Sequence, residues 1–295
     1  MNAKSATTTT DLTTVKEGEL LAPPAAVDDA LLAGMAGEGN EQVRPEDVAI
    51  PRLVLLQSTS PQIKRTEAAY IEGAQEGMYL NTLTQELYGE QVTIINCHFT
   101  AHELEWTPRT KGGGLRGVHN LDDPLVKTAV EDPQRRGRFV LPNGNDLVHT
   151  QEHYVLVQSA TGAWSQALLA LNGTQLKHGR RMNGLLSGIY LKDAYGNVLK
   201  NARGEALTRP RFATVLTLRT KAERNDQGSW FVIDPHVERV VTADELALAK
   251  GFRDAIAQGG VKVEYEDPAV PATEVGTGPT IDGTVTKPGG NEIPF

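Results

Sequence analysis

The sequence predicts a mainly β fold, a Greek-key barrel or sandwich with two helices and long loops, between two disordered ends. Three observations carry this. Residues 46–266 alternate short apolar runs with breaks rich in Gly, Pro and Asn. Only two segments combine helical periodicity with start and stop signals. The ends, 1–45 and 267–295, are rich in Thr, Ala, Gly, Pro and acid and sustain no apolar pattern.

The elements follow in order. Residues 50–57, Ile-Pro-Arg-Leu-Val-Leu-Leu-Gln, form an apolar run that Pro51 keeps extended at its start. A hairpin is predicted from 78–81 and 86–88 around Thr82-Leu83-Thr84-Gln85. Residues 91–106 alternate, with Val92, Ile94, Asn96 and His98 on one face and Thr93, Ile95, Cys97 and Phe99 on the other. Apolarity on both sides marks a long, curved central strand. Residues 111–117 read as a mobile glycine loop, and 122–146 as a polar stretch. Strands at 149–159 and 164–171 join through Ala160-Thr161-Gly162-Ala163. A helix is predicted over 174–191, with Leu176, Met182, Leu185, Leu186 and Ile189 as its stripe. Strands follow at 211–219 and 229–233. The last helix opens on the capping box Thr242-Ala243-Asp244-Glu245 and stops at Gly259-Gly260. A short helix at 26–32 completes the list, and no internal repeat is read. Within this class an OB-like barrel is the favoured case, forming one core over residues 46–266.

Composition narrows the functional classes. Hydrophobic residues make up 39% of 295, enough for a core, and no apolar run approaches bilayer length. The start lacks the basic and apolar blocks of a signal peptide, and the single Cys97 excludes an internal disulfide. The expected location is the cytoplasm, with no membrane association and no cofactor.

The net charge of −8 conceals a polarised chain. Residues 1–100 carry 6 Lys and Arg against 14 Asp and Glu, residues 101–225 carry 18 against 11, and residues 226–295 carry 5 against 12. A basic middle between acidic ends is the pattern of a polyanion-binding core with self-shielding tails. The cations are interleaved with aromatic residues. Trp106 precedes Arg109, Lys111 and Arg116, and Arg135, Arg136 and Arg138 precede Phe139. Trp164 lies on the central hairpin, Lys177, Arg180 and Arg181 precede Tyr190, and Arg209 and Arg211 precede Phe212. Cations neutralise phosphates while flat rings stack bases, so this pairing points to single-stranded nucleic acid bound with little sequence preference.

Other chemistry is thinly supported. The spacings His98-Xaa3-His102 and His149-Xaa3-His153 lack a cysteine pair and a helical context for zinc, and Cys97 and His98 alternate to opposite faces. Lys111-Gly112-Gly113-Gly114 lacks the ending of a phosphate loop. Asp122-Asp123 and Glu131-Asp132 are the candidate magnesium ligands of a nuclease, a weaker reading than solvated loop charge. The chain therefore reads as a binding protein and not an enzyme.

Residues 50–58, residues 77–88 with their Asn81-Thr82-Leu83-Thr84 turn, and Thr174-Gln175-Leu176-Lys177 before a basic helix resemble a group of tailed-phage early proteins that bind single-stranded DNA. The resemblance spans about residues 46–235. It implies a role in phage DNA replication or recombination, with Arg109, Lys111, Arg116, Arg135, Arg136, Arg138, Lys177, Arg180 and Arg181 on phosphates and Trp106, Phe139 and Trp164 as stacking rings. Separately, the end Ile293-Pro294-Phe295 resembles the tip of bacterial single-stranded DNA-binding proteins. That resemblance implies docking of replication and recombination proteins through an aromatic anchor and a carboxylate, on an acidic tail that competes for the DNA groove. Homo-oligomerisation is compatible with this reading. The alternatives are a virion or assembly protein and, less favoured, a magnesium-dependent nuclease.

Overall fold

The structure is a computed structural model that describes residues 32–35, 38–43, 49–134, 137–226, 228–261 and 263. The short helix expected at 26–32, save its last residue, and the tail 267–295 lie outside the described residues. The chain divides after Val43 into two units. Of the first, the described part holds a 3-10 turn, Ala33–Met35, and a turn closed by the Val43 N–H on Asn40 O.

Among the described residues the second unit carries all the strands, and it is mainly β. Three short strands, β1 (Leu53–Leu55), β2 (Tyr79–Asn81) and β3 (Leu87–Gly89), form a small antiparallel sheet. The turn between β2 and β3 is built by Asn81, whose side-chain oxygen accepts from the N–H groups of Leu83 and Thr84. The larger sheet has β4 (Gln91–Trp106) and β8 (Asp146–Gln158) as its spine, antiparallel from Ile94 opposite Val157 to Trp106 opposite Asp146. Both strands are too long for one neighbour. The first half of β4 pairs with β10 (Thr214–Asn225) and its end with β5 (Leu115–His119). The start of β8 pairs with β7 (Phe139–Val140), itself paired with β6 (Val130–Glu131). The rest of β8 pairs with β9 (Trp164–Asn172), and β10 forms a long hairpin with β11 (Gly228–Val240). The order β10-β4-β8-β9 is a Greek key, because β10 returns beside β4 after the long connection that follows β9.

The two-sided apolarity of β4 is explained by two helices. On the concave face Val92, Ile94, Val155, Leu169 and Leu216 pack with Met182 and Leu186 of α1 (Leu176–Ser187). On the opposite face Ile95, Cys97, Tyr154, Leu156 and Val215 pack with Ala249 and Phe252 of α2 (Ala243–Ala257). Each such buried side chain contributes about 1.5–3 kcal/mol, so the curled sheet is held from both sides. Gly179 lets α1 approach closely, because a Cβ there would meet the Gln151 side chain. The capping box of α2 forms as predicted, and Arg239 of β11 clamps Glu245 through both carboxylate oxygens, at 2.7 and 2.8 Å.

A β-bulge between Asn96 and His98 corrects the predicted alternation. Cys97 is the extra residue, so beyond it the faces exchange: His98 pairs with Tyr154 on the α2 side and Phe99 with His153 on the α1 side. Cys97 and His98 thus do not alternate to opposite faces as the sequence implied. The helix predicted over 174–191 begins as a 3-10 turn, Gly173–Gln175, and ends at Ser187. Its last predicted turn is drawn into other pairing, with the Arg209 N–H on Ile189 O and Tyr190 bridged to Thr208. Residues 211–213 form a 3-10 turn instead of starting a strand, and β10 and β11 outrun their predicted ends because their exposed halves are polar. The predicted glycine loop is partly strand, since Leu115–His119 is β5.

The sheet is a half-barrel, and its gap is closed by side chains. β1 adjoins β9 through the Leu168 N–H on Pro51 O and a bridge from Arg52 to Leu168. Between β1 and β11, buried Gln57 donates to Phe231 O at 3.0 Å and accepts from the Phe231 N–H at 2.9 Å. Buried Gln175 donates to the same Phe231 O at 2.9 Å and accepts from the Ile233 N–H at 3.1 Å. Replacing either glutamine by Ala strands a backbone N–H, so Gln57→Ala and Gln175→Ala are each expected to cost about 1–3 kcal/mol in urea unfolding. The double variant also leaves Phe231 O without either donor, and its loss should exceed the sum of the single losses.

Candidate nucleic-acid interface

The residues singled out from the sequence fall at two ends of the sheet. At the β5–β4–β8–β7 end, Trp106 closes β4, Arg116 lies on β5 and donates from Nε to Thr107 Oγ1 at 2.8 Å, and Lys111 is exposed. Arg109 belongs to the 3-10 turn Arg109–Lys111. Arg138 approaches Asp146 at 3.9 Å, and Phe139 on β7 is 46% exposed. Arg135 and Arg136 lie outside the described residues, as do Ile293, Pro294 and Phe295. Trp164 is half-buried against the cluster beneath α2, which leaves less of its ring for a base.

That end is not simply basic. Glu103 bonds His149 at 2.8 Å, and Glu105 bonds His119 at 2.9 Å and the amides of Asn143 and Asn145. Burial alone would raise the Glu105 carboxyl, but hydrogen bonds from Asn145, Asn143 and His119 outweigh it and hold the pKa below the usual range. His102 is likewise engaged by buried Glu152 at 3.0 Å. Three of the histidines at this end, His102, His119 and His149, are thus each set against a carboxylate, and no group of three or more metal-ligating side chains is assembled among the described residues.

The other end gathers cations. On α1, Lys177 pairs with Glu223 at 2.6 Å and Arg181 with Asp234 at 2.5 Å, which ties the helix to the β10–β11 hairpin. Arg180, about one turn after Lys177 and next to Arg181, is exposed and has no partner among the described residues. Residues 176–211, the Greek-key connection, hold eight Lys and Arg against two Asp and Glu, a net +6 in a chain of −8.

The connection contains what the sequence reading missed, an eight-residue repeat. Leu191-Lys-Asp-Ala-Tyr-Gly-Asn-Val is followed by Leu199-Lys-Asn-Ala-Arg-Gly-Glu-Ala and then Leu207. Each copy folds into the same tight loop. Asp193 Oδ1 accepts from the N–H groups of Tyr195 and Asn197, and Asn201 Oδ1 from those of Arg203 and Glu205. Gly196 and Gly204 take φ of 86° and 82°, which a side chain would disfavour. The three leucines close the lobe by backbone alone: Leu199 N–H donates to Leu191 O, Leu207 N–H to Leu199 O, and Leu191 N–H to Leu207 O, at 2.8–2.9 Å. The loops therefore hold Tyr195 and Arg203 at equivalent tips, with Tyr195 91% exposed. Both acids of the lobe are engaged within their own loops, Asp193 by Asn197 and Glu205 by Asn201. Lys192, Lys200 and Arg203 have no partner among the described residues.

A polar cluster lies on the α1 side of the sheet, where the connection rejoins it at Arg211. Arg211 stacks over Phe99, 5.3 Å from the ring centroid, and donates from Nη2 to Asn183 Oδ1 at 2.8 Å. Phe99 meets the ring of His153, which is wholly buried and accepts at Nδ1 from Asn96 Nδ2 at 2.9 Å. The His153 Nε2 is left without a partner. Burial, with the nearby Arg211 charge adding to it, lowers the His153 pKa to about 3.

A family model described as Pam3 phage gp34-like protein matches residues 15–262. The chain belongs to that family. No curated protein and no solved structure matches it. The Pam3 phage gp34-like match covers the whole sheet, both helices and the repeat lobe.

The buried histidine makes a pH prediction. As pH falls below the unfolded value of 6.5, the unfolded chain protonates while folded His153 stays neutral to about 3, so stability is lost through that window. His98 and His178, also lowered chiefly by burial, act with the same sign. Carboxylates held low, such as Glu245 at about 2, lose their contribution only below an unfolded value of 4.5. Unfolding free energies between pH 6.5 and 4.5 should therefore fall by up to about 1.4 kcal/mol per unit from His153, and His153→Gln should flatten that slope.

Proposed function

We propose that this phage-family protein binds single-stranded DNA in phage replication or recombination, by phosphate neutralisation and base stacking with little regard for sequence. The observation that carries the proposal is the repeat lobe. It is an ordered, exposed element whose acids are internally engaged, whose cations are unpaired and whose aromatic tip stands in solvent. Rigid presentation of such groups lowers the entropy of capturing a flexible strand. Lys192, Lys200, Arg203 and Arg180 take phosphates, and Tyr195 stacks a base. Phe139, Lys111 and Arg116 at the far end of the spine extend the track in the same reading. The Ile293-Pro294-Phe295 end is its docking hook for replication and recombination proteins.

Fluorescence anisotropy with a labelled oligothymidylate tests this. Affinity should fall steeply with salt, and the triple variant Lys192→Ser, Lys200→Ser, Arg203→Ser should make the log–log slope shallower by about 2, at about 0.7 for each phosphate no longer neutralised. Tyr195→Ala should weaken binding by about 1–3 kcal/mol with the slope unchanged. Absent binding, or binding indifferent to salt, rejects the proposal. Co-sedimentation with virions in that case favours an assembly role, and magnesium-dependent cleavage of the oligonucleotide a nuclease.

A further inference from the structure

An open pocket of about 200 Å³ lies where α1 ends and the lobe begins, lined by Leu186, Arg209, Arg211 and the exposed Ser187 and Thr208. Its polar lining residues are two arginines, a serine and a threonine, with no Asp or Glu among them. Neither arginine makes an ion pair among the described residues, whereas Lys177, Arg181 and Arg239 each face a carboxylate. Arg211 is fixed by Asn183 and the Phe99 ring, and its Nη1 has no hydrogen-bond partner. Burial lowers the pKa of this guanidinium, which marks its charge as poorly solvated.

Two ordinary roles for the arginines fail. Capping of the α1 C-terminus would require donation to its final carbonyls, but Arg211 instead donates to the Asn183 side chain, and Gly188 N–H caps Gly184 O. Pairing with a lobe acid fails as well, because Asp193 and Glu205 are engaged in their own loops. A poorly solvated, unpaired guanidinium is costly unless an anion completes it. The helix end contributes only about −0.5 charge to the cavity, against two full positive charges. The volume is below the roughly 300 Å³ at which small-molecule sites begin, so the group it takes is small.

We infer that this cavity is a phosphate site, in which Arg209 and Arg211 supply the charge and Ser187 and Thr208 the neutral donors. The inference deepens the strand-binding reading by naming where one phosphate of the strand is seated, and its chemistry stands without that reading. The phosphate comes from a strand terminus or from an internal phosphodiester, and the test separates them.

The full chain is titrated with inorganic phosphate against chloride at matched ionic strength, read by thermal midpoint, and by anisotropy with short oligothymidylates bearing a 5′-phosphate or a 5′-hydroxyl. Phosphate should raise the midpoint saturably in the unmodified protein, less so in Arg209→Gln, and not in Thr208→Glu. The introduced carboxylate of that last variant should itself raise the midpoint without phosphate, which also reports that it folds. A preference of about tenfold for the 5′-phosphate that Arg209→Gln abolishes assigns a terminal phosphate. Equal binding of both strands, weakened several-fold by Arg209→Gln, assigns an internal one. A saturable phosphate effect without strand binding supports the site and rejects the strand-binding reading. Strand binding with no phosphate effect and no response to either variant, or a phosphate effect unchanged in both, overturns the site.

Discussion

Two buried glutamines hold the half-barrel shut. A curled sheet that stops short of closure leaves backbone donors and acceptors along its edge, and buried ones must be paired. The gap is bridged by the side-chain amides of Gln57 and Gln175, which present a C=O and an N–H to β11 as a neighbouring strand would. Both are shielded from water, so neither bond has a solvent alternative of equal worth. The separation of the β1 segment from β11 is therefore set by the reach of the Gln57 amide, and that of the start of α1 from β11 by the Gln175 amide.

That closure also positions the cationic connection. Gln175 stands one residue before α1, so the amide that pairs with Phe231 and Ile233 also fixes where the helix starts. Lys177 and Arg181 then tie its exposed side to the β10–β11 hairpin, while Met182 and Leu186 anchor its buried side. With both faces held, the end of α1 is set in place, and the lobe leaves from a defined point. The lobe needs no core of its own. Its order comes from three backbone bonds among leucines and from repeated Asp and Asn turns, which leaves its outward side chains unconstrained by packing.

The sequence made the spine legible because β4, the β8–β9 hairpin and the α2 capping box are local patterns. A two-sided strand, a four-residue turn and a Thr-to-Glu box each reveal themselves within a few residues. The bulge at Cys97 was hidden by that same two-sidedness. When both faces are apolar, a one-residue shift leaves no trace in hydropathy. The end of α1 was overrun because Leu185, Leu186 and Ile189 continue a helical stripe, whereas Tyr190 and Arg209 are captured by tertiary pairing. Gln57 and Gln175 carry no local mark at all, since their partners lie 174 and 56 residues away. The repeat was legible and overlooked. Leu-Lys, Ala and Gly recur eight residues apart, but each copy is too short and too polar to register as a strand. The pairing of charges was not legible for a related reason. A run of cations shows where charge is concentrated, whereas the fold decides which charges are already paired, as Lys177 and Arg181 are.

The charge distribution then constrains how any polyanion is met. The chain as a whole carries −8 while residues 176–211 carry +6, so the remainder is strongly acidic. Beyond a Debye length of about 8 Å at physiological salt the field is screened, and inside it the connection dominates its own surroundings. Long-range steering by net charge therefore gives little help in encounter, and the net charge itself is repulsive at low salt. Attraction is confined to ligands already within reach of the lobe and the end of α1. Under that regime the groups that matter are those whose charge is neither compensated internally nor distant from the surface. Lys192, Lys200 and Arg203 meet that condition at the lobe, Arg180 meets it on the helix, and Arg209 and Arg211 meet it at the cavity between them. They lie within one continuous 32-residue stretch, from Arg180 to Arg211, placed by a single Greek-key crossing.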